Sequence, residues 1–295
     1  MPKISIVITA YNAEPFIAAA LDSVLAQSFA DFEAIVINDG SSDGTAAILD
    51  SYASRDPRFR IVHQHNQGPA GALNAGLRLA SGEYIALFDG DDRFLPNKLE
   101  RQVAALDAHP EIDLNFTWSI WIDAQGRPLG IHSAKVSGRL SYLELLEDFV
   151  IGNTSSVVFR RRCLDLPDPC DPTLAYCYDL DLFLRIAMLR PGNVEVVPQV
   201  LTEYRRHPGQ ISRNRWAMEP EWDRVVEKLR ARSSLPGAAR SLIRGQSNMA
   251  RYFAFLAYES GQYRDAAGRL LASLRRHPWL FLANRRNWID RKSVV

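Results

Sequence analysis

The chain is poor in several things that would have fixed its class at once. Nowhere in its 295 residues do 18 apolar residues run uninterrupted, so no membrane-spanning helix is expected. Its three cysteines, Cys163, Cys170 and Cys177, cannot all pair and form no CxxC unit. A disulfide framework and a zinc site are therefore disfavoured. Lysine is scarce too: Lys3, Lys98, Lys135, Lys228 and Lys292 are the only five among 35 basic residues. None sits where a Schiff base or a phosphate clamp is expected. No GxGxxG follows a strand pattern and no GxxxxGK[ST] occurs, which disfavours dinucleotide-dependent oxidoreductases and P-loop NTPases. Met1-Pro2-Lys3 runs straight into the strand-like Ile4-Ser5-Ile6-Val7-Ile8, without the apolar segment and small-residue cleavage site of a secretory leader. A reducing cytoplasm is the expected compartment. Asn153-Thr154-Ser155 then matches a glycosylation sequon only by coincidence.

What is present is ordinary globular material: 47% hydrophobic, 23% charged and 10% aromatic residues. That suffices for one large or two smaller domains. The net charge of +1 hides a division. Residues 205–295 hold 19 Lys and Arg against 7 Asp and Glu, a balance of +12, which leaves 16 against 27, or −11, for residues 1–204. Such a balance gives no reason to expect a nucleic-acid partner. The basic tail fits an anionic lipid surface, an acidic partner, or the acidic first part of its own chain.

Short apolar runs alternate with helical patterns through the first 117 residues. Strands are predicted at 4–9, 33–38, 60–63, 84–88 and 113–117. Helices are predicted at 14–28, 43–52, 69–80 and 96–108. This alternation predicts an α/β fold with a mostly parallel sheet covered on both faces, and ligands beyond the carboxyl ends of the strands. Turn signals at Asp123-Ala124-Gln125-Gly126 make 118–130 a hairpin or loop. A strand at 155–160, a helix at 179–189 and strands at 194–197 and 201–204 follow. After Gln210 only helices are expected, at 222–232, 238–261 and 264–276. The division is therefore 1–210 for the α/β domain and 211–295 for a basic helical region.

The strand ends carry the chemistry. The first is followed by Thr9-Ala10-Tyr11-Asn12, the second by Asn38-Asp39-Gly40-Ser41-Ser42-Asp43-Gly44-Thr45, and the fourth by Asp89-Gly90-Asp91-Asp92. Three carboxylates within four residues repel one another unless a cation or a proton relieves them. Hard oxygens on a tight turn suit Mg²⁺ or Mn²⁺, with positions left for substrate phosphates. A solvated acidic turn ahead of the next helix is the plainer reading. The 39–50 stretch loosely matches a calcium loop, but a strand precedes it where that motif requires a helix, so calcium is rejected. Asp39 reads instead as an acceptor for a base N–H, or as part of a capped turn.

In this order and spacing, Ser5–Asn12, Val36–Thr45 and Phe88-Asp89-Gly90-Asp91-Asp92 resemble the family 2 glycosyltransferases of GT-A fold. The resemblance covers roughly residues 3–210. It implies that Thr9, Tyr11 and Asp39 hold the nucleotide of a nucleotide-diphosphate sugar, and that Asp89 and Asp91 hold a divalent cation, Mn²⁺ or Mg²⁺, and the donor diphosphate. Tyr178-Asp179-Leu180-Asp181-Leu182-Phe183-Leu184-Arg185 resembles the family's acidic motif at a helix start. Asp179 keeps the position of the catalytic base, while Tyr178 replaces the usual Glu. An N-terminal cap is the plain alternative for Asp179. Tyr204-Arg205-Arg206-His207 resembles the closing Tyr-Arg-x-His segment, with His207 at the cation or diphosphate. Many relatives carry Arg where this chain has Leu73.

The implied activity is inverting transfer from a nucleotide-diphosphate sugar, uridine favoured, to an acceptor hydroxyl on a saccharide or lipid-linked carrier in cell-surface polysaccharide or glycolipid synthesis. A nucleotidyltransferase shares the fold and an Asp pair, but residues 10–17 lack the basic loop for a triphosphate. A catalytically silent binding protein stays open because of Tyr178. Trp118 and Trp121 suit either sugar contacts or core packing. In the tail, Gly261-Gln262-Tyr263-Arg264-Asp265-Ala266 with Leu270 and Pro278 resembles one tetratricopeptide-type hairpin. Trp279-Leu280-Phe281-Leu282 between arginine pairs suits a membrane interface, which would add peripheral attachment at the inner membrane face.

Overall fold

A computed structural model describes residues 1–133, 135–165, 169–259, 261–276 and 278. The expected Trp279–Leu282 interface segment lies outside them. The first half alternates as its hydrophobic periods require: β1 (Ile4–Ala10), α1 (Ile17–Leu25), β2 (Phe32–Asp39), α2 (Thr45–Arg55), β3 (Phe59–Gln64), α3 (Gly68–Leu79), β4 (Tyr84–Asp89), β5 (Arg93–Phe94) and α4 (Lys98–Ala108). Next come β6 (Leu114–Ile122), β7 (Pro128–His132), β8 (Gly138–Leu140), α5 (Tyr142–Glu147), β9 (Val157–Arg160), α6 (Tyr178–Leu189) and β10 (Val194–Arg205). The chain then turns wholly helical with α7 (Arg215–Arg232), α8 (Ala238–Glu259) and α9 (Tyr263–Arg276).

One sheet carries all ten strands, in the order β3-β2-β1-β4-β9-β6-β10-β5, with β7 on β6 and β8 on β10. The expected parallel pairing holds for β3-β2-β1-β4 and for β6-β10. Between those two blocks β9 runs antiparallel to both neighbours, so the sheet is mixed. The reason is where β9 starts. Residues 149–154 already lie at the carboxyl edge, lining the cavity described below, and the strand can only run away from it. The two strands expected at 194–197 and 201–204 are one strand, bulged between Val197 and Val200 around Pro198 and Gln199.

Alternation along the strands builds a core on each face. Ile4, Ile6, Ile8, Tyr84, Ala86 and Phe88 pack on Ile17 and Leu21 of α1, Leu49 of α2 and Leu99 of α4. On the other face Val7, Ile85, Leu87, Leu114 and Phe116 pack against α3, α5 and α6. Trp222, Val225, Val226 and Leu229 of α7 and Leu242 of α8 join that second core. The helices after residue 210 thus pack on the same apolar layer as the sheet. At the far end α8 and α9 form one antiparallel hairpin closed by Gly261, which adopts a positive φ of 75°.

Candidate functional site

The sheet order brings the three polar strand ends together. β2 and β4 flank β1, and their register sets Thr9 beside both Ile37 and Asp89. The strand order reverses here, as at ligand crevices of open α/β sheets. The Gly90 N–H donates to the Thr9 carbonyl at 2.9 Å, and a Cβ on Gly90 would stand 3.0 Å from that oxygen. The first and second crests are tied as well. Asn12, the one non-glycine residue with positive φ among the described residues, accepts from the Ser42 N–H at 2.8 Å, and its own N–H donates to Ser41 Oγ at 2.9 Å. Asp43 accepts from the Glu14 N–H and from Thr45 Oγ1 and N–H, which braces the turn before α2, whose capping position is Gly44.

Asp39 is buried, yet its bonds fall on one oxygen only. Oδ1 accepts from Gln64 Nε2 at 2.7 Å and from the Gln67 N–H at 2.8 Å. Among the described residues Oδ2 has no hydrogen-bond partner, so the carboxylate is anchored by one oxygen and has acceptor capacity left on the other. Tyr11 is 56% exposed and lines the cavity, where its ring can stack on a planar base.

The acidic crest is held from an unexpected side. The two-residue strand β5 pairs with β10, which delivers residues 205–207 to the carboxylates. The Arg205 N–H donates to Asp92 Oδ1 at 2.8 Å and Arg205 Nε donates to the Asp91 carbonyl at 2.6 Å. His207 Nε2 then lies 2.9 Å from Asp91 Oδ2, its ring 4.5 Å from that of Phe16. Asp92 is fully buried and does not reach the cavity, so it is a structural member of the trio. Burial, then the charge of Asp91, then that of Asp179 or Asp89, push Asp89 and Asp92 well above the usual carboxylate range.

Asp179 lies in the first turn of α6, where Cys177 and not Asp179 is the capping position. Its Oδ2 accepts from Thr154 Oγ1 at 2.8 Å and its Oδ1 from the Leu180 N–H at 2.8 Å. Burial raises its pKa; these two hydrogen bonds and one from its own backbone N–H oppose that rise. The adjacent Ser155 accepts at 3.0 Å from the Asp89 N–H. Neighbouring residues of one turn thus hold the carboxylate of α6 and the crest of β4. Tyr178 is buried beside them, with Thr154 against its phenol.

Thr9, Tyr11, Asp39, Asp89, Asp91, Asp179 and His207 all line one cavity of ≈ 840 Å³. Other sequence candidates part ways. Trp121 lines the cavity with Arg206 over its ring at 4.9 Å, whereas Trp118 packs on the core and donates to the Val136 carbonyl. Leu73 is buried in the core, so an arginine reaching the cavity from that position has no counterpart here; Arg206 is a cation that does line it. Asn153 is buried and donates to Ser119, which removes it from the surface where a sequon acts. Thr154, Ser155 and the α8 residues Asn248, Met249 and Tyr252 were not singled out from the sequence for any role at a site. The i, i+3, i+4, i+7 spacing of Gly245, Asn248, Met249 and Tyr252 was the available signal for the helix face.

Among the described residues no three of His, Cys, Asp and Glu converge to hold a metal ion by themselves. Asp89 and Asp91 nevertheless present hard oxygens to the same cavity, and His207 adds a nitrogen beside Asp91. Mg²⁺ is commonly bound by one or two carboxylates, with substrate phosphates and water completing the shell. The donor set fits an ion bound jointly with a diphosphate.

The family model Glycosyl transferase family 2 matches residues 5–164. The putative teichuronic acid biosynthesis glycosyltransferase TuaG of Bacillus subtilis (strain 168) is 31% identical over 235 residues, 77% of this chain and 90% of TuaG. EpsJ of the same organism, an uncharacterized glycosyltransferase, is 46% identical over 92 residues, 31% of this chain but only 27% of EpsJ. The UDP-Glc:alpha-D-GlcNAc-diphosphoundecaprenol beta-1,3-glucosyltransferase WfgD of Escherichia coli is 27% identical over 224 residues, 75% of this chain and 84% of WfgD. Among solved structures, S. aureus TarS 1-349 in complex with UDP superposes with a TM-score of 0.69 at 18% identity, covering 99% of this chain and 88% of that one. The mannosyltransferase PcManGT from Pyrobaculum calidifontis, in complex with GDP-Man and Mn²⁺, gives 0.64 at 19%, covering 93% and 75%. At such identities these structures establish the fold, the GT-A-like α/β architecture expected from the sequence.

Proposed function

The chain belongs to glycosyl transferase family 2, and on that footing we propose that it moves a sugar, with inversion, from a UDP-sugar to a hydroxyl of a lipid-linked saccharide during cell-surface polysaccharide or glycolipid synthesis. The convergence of Asp39, Asp89, Asp91 and Asp179 on one cavity is the observation that carries this reading. The UDP bound to TarS, the UDP-Glc named for WfgD and its diphosphoundecaprenol acceptor support the choice of donor and acceptor class.

In this reading the free Oδ2 of Asp39 accepts the N–H of uracil, and Tyr11 covers the base. Thr9 lies beside the sugar-phosphate end, next to Asp89. Asp89, Asp91 and His207 hold a divalent cation, Mn²⁺ or Mg²⁺, which when bound neutralises charge on the departing diphosphate. Asp179 takes the proton of the acceptor hydroxyl as that oxygen attacks the anomeric carbon from the face opposite the diphosphate. Thr154 holds the carboxylate for that task. Division into a transferase domain, 1–210, and a basic helical region, 211–295, belongs to the same proposal.

Incubation with a panel of nucleotide sugars and Mn²⁺ tests it. Release of nucleoside diphosphate is expected; pyrophosphate-dependent formation of a triphosphate, or binding without turnover, refutes the transfer. Asp179→Asn is expected to lose about 10²–10⁴-fold in rate, the usual worth of a positioned base, with UDP binding retained. Full activity in that variant removes Asp179 from the role.

No helix among the described residues is long and apolar enough to cross a membrane. The +12 balance from residue 205 onward and the exposed Tyr263, Leu270 and Leu271 of α9 support peripheral docking on an anionic bilayer. Co-sedimentation with anionic vesicles that weakens with salt is the expected result. Equal, salt-insensitive recovery with neutral vesicles refutes it.

A further inference from the structure

The cavity does not end at Asp179. It continues to a wall made by the helices after residue 210, where Met218 of α7 and Met249 and Tyr252 of α8 face the cavity along with Phe149, Val150 and Ile151. This part is apolar and aromatic, unlike the carboxylate-rich part around Asp39, Asp89 and Asp91. In the reading above the nucleotide diphosphate is already met by Tyr11, Asp39, Asp89 and Asp91, which leaves this lining to another ligand. An acceptor whose sugar is joined to an apolar group does, because its hydroxyl must reach Asp179 while the rest lies beyond the donor.

The wall is fixed in place by an unusual approach of α8 to α5. Gly245 is buried, and a Cβ built there would stand 2.0 Å from the Leu146 carbonyl oxygen, a backbone atom that cannot swing aside. Ser241 Oγ and Arg244 Nη1 donate to the Glu147 carboxylate at 2.9 and 2.8 Å, and Asn248 Nδ2 donates to the Glu147 carbonyl. Asn248, Met249 and Tyr252 follow Gly245 by three, four and seven residues. The same helix stripe therefore meets α5 at one end and the cavity at the other.

We propose that the α8 stripe, with Met218 and the 149–151 segment that line the same part of the cavity, is the acceptor subsite, and that it takes a saccharide carrying an apolar aglycone. The proposal rests on the transfer reading above and names the side of the site that the donor does not fill. The sugar lies at Asp179 and the apolar chain runs along Met249 and Tyr252.

The chain has four methionines, Met1, Met188, Met218 and Met249, so methyl-¹³C-methionine labelling gives a small set of probes. The UDP-loaded protein is titrated with octyl glycosides of glucose, galactose and N-acetylglucosamine below their micelle concentrations, and with the free sugars. The Met218 and Met249 methyls are expected to shift with the octyl glycosides and much less with the free sugars, while Met1 and Met188 stay still. Methyls of Met218 and Met249 that remain unmoved by every octyl glycoside overturn the subsite. This readout needs no turnover, so a failure of the transfer reading shows separately, as absent donor consumption. Where transfer is measured, Met249→Ala with Tyr252→Ala is expected to reduce the preference for octyl glycoside over free sugar by about 10-fold or more, from the loss of buried apolar surface. An unchanged preference overturns the proposal.

Discussion

Replacing Thr154 by valine removes one hydroxyl hydrogen from Asp179 and keeps the shape of the side chain. Asp179 can accept a proton only when ionised. Burial favours its neutral form, and the bonds from Thr154 Oγ1 and the Leu180 N–H favour the charged form. Loss of the hydroxyl leaves burial opposed by one bond fewer, so ionisation moves to higher pH. A hydrogen bond to a charged group contributes about 1.5–3 kcal/mol, and 1.36 kcal/mol is tenfold in the ionisation equilibrium. The acidic limb of kcat/KM is therefore expected to move up by about one to two pH units, with the rate recovering above it. Thr154→Ser keeps the donor and should restore the wild-type limb. The assay is UDP release against pH for the three proteins. A loss of rate by the same factor at every pH, with no displaced limb, refutes the reasoning, as does a serine variant that behaves like valine.

Asp179→Asn should also change stability in a pH-dependent way. A carboxyl whose folded pKa is raised contributes stability below its unfolded pKa and loses it as pH rises through the folded value, so the variant should gain in Tm over wild type at neutral pH and not in the acid range. Glu221 of α7 accepts three backbone N–H bonds, from Ala175, Tyr176 and Cys177 at 2.7–3.0 Å; Glu221→Ala should cost about 3 kcal/mol or more in denaturant unfolding, because buried donors are left open. Gly245→Ala should cost about 1–3 kcal/mol by overpacking α8 on α5, again read from denaturant unfolding. Asp39→Ala should weaken UDP binding by about 10- to 100-fold in calorimetry, with Asp179-dependent chemistry intact once donor is saturating.

Strands that lie inside the sheet were legible because burial on both faces writes a continuous apolar run: the strands predicted at 4–9 and 84–88 are observed as Ile4–Ala10 and Tyr84–Asp89. The crest residues followed, since polar residues after such runs stand at the carboxyl edge. Short edge elements were not legible. Arg93-Phe94 becomes a strand only because β10 lies beside it. The six residues of α5 are too few for a period, although Ser141 and Glu144 do form the reciprocal cap that marks a helix start. His207 was readable as a residue type, but its reach to Asp91 depends on that same β5–β10 pairing. Thr154 was hidden inside a sequon-like triplet; its contact with Asp179 emerges only once β9 returns between β4 and β6 and sets residues 154 and 155 between the Asp179 carboxylate and the backbone of Asp89.

The three-pronged grip of Glu221 bears on how such proteins can be cut and recombined. Its carboxylate belongs to the helices after residue 210, while the loop it secures leads directly into the turn that carries Asp179. Shortening the chain to residue 210 removes the anchor along with the tail, and the remainder is expected to lose the cooperative unfolding of the full chain when followed by circular dichroism. Chimeras that exchange the tail to redirect acceptor choice would have to carry over a glutamate at this position, or re-engineer residues 175–177 to suit the new helix. The modular boundary drawn by composition and the boundary along which the molecule tolerates exchange are then two different places.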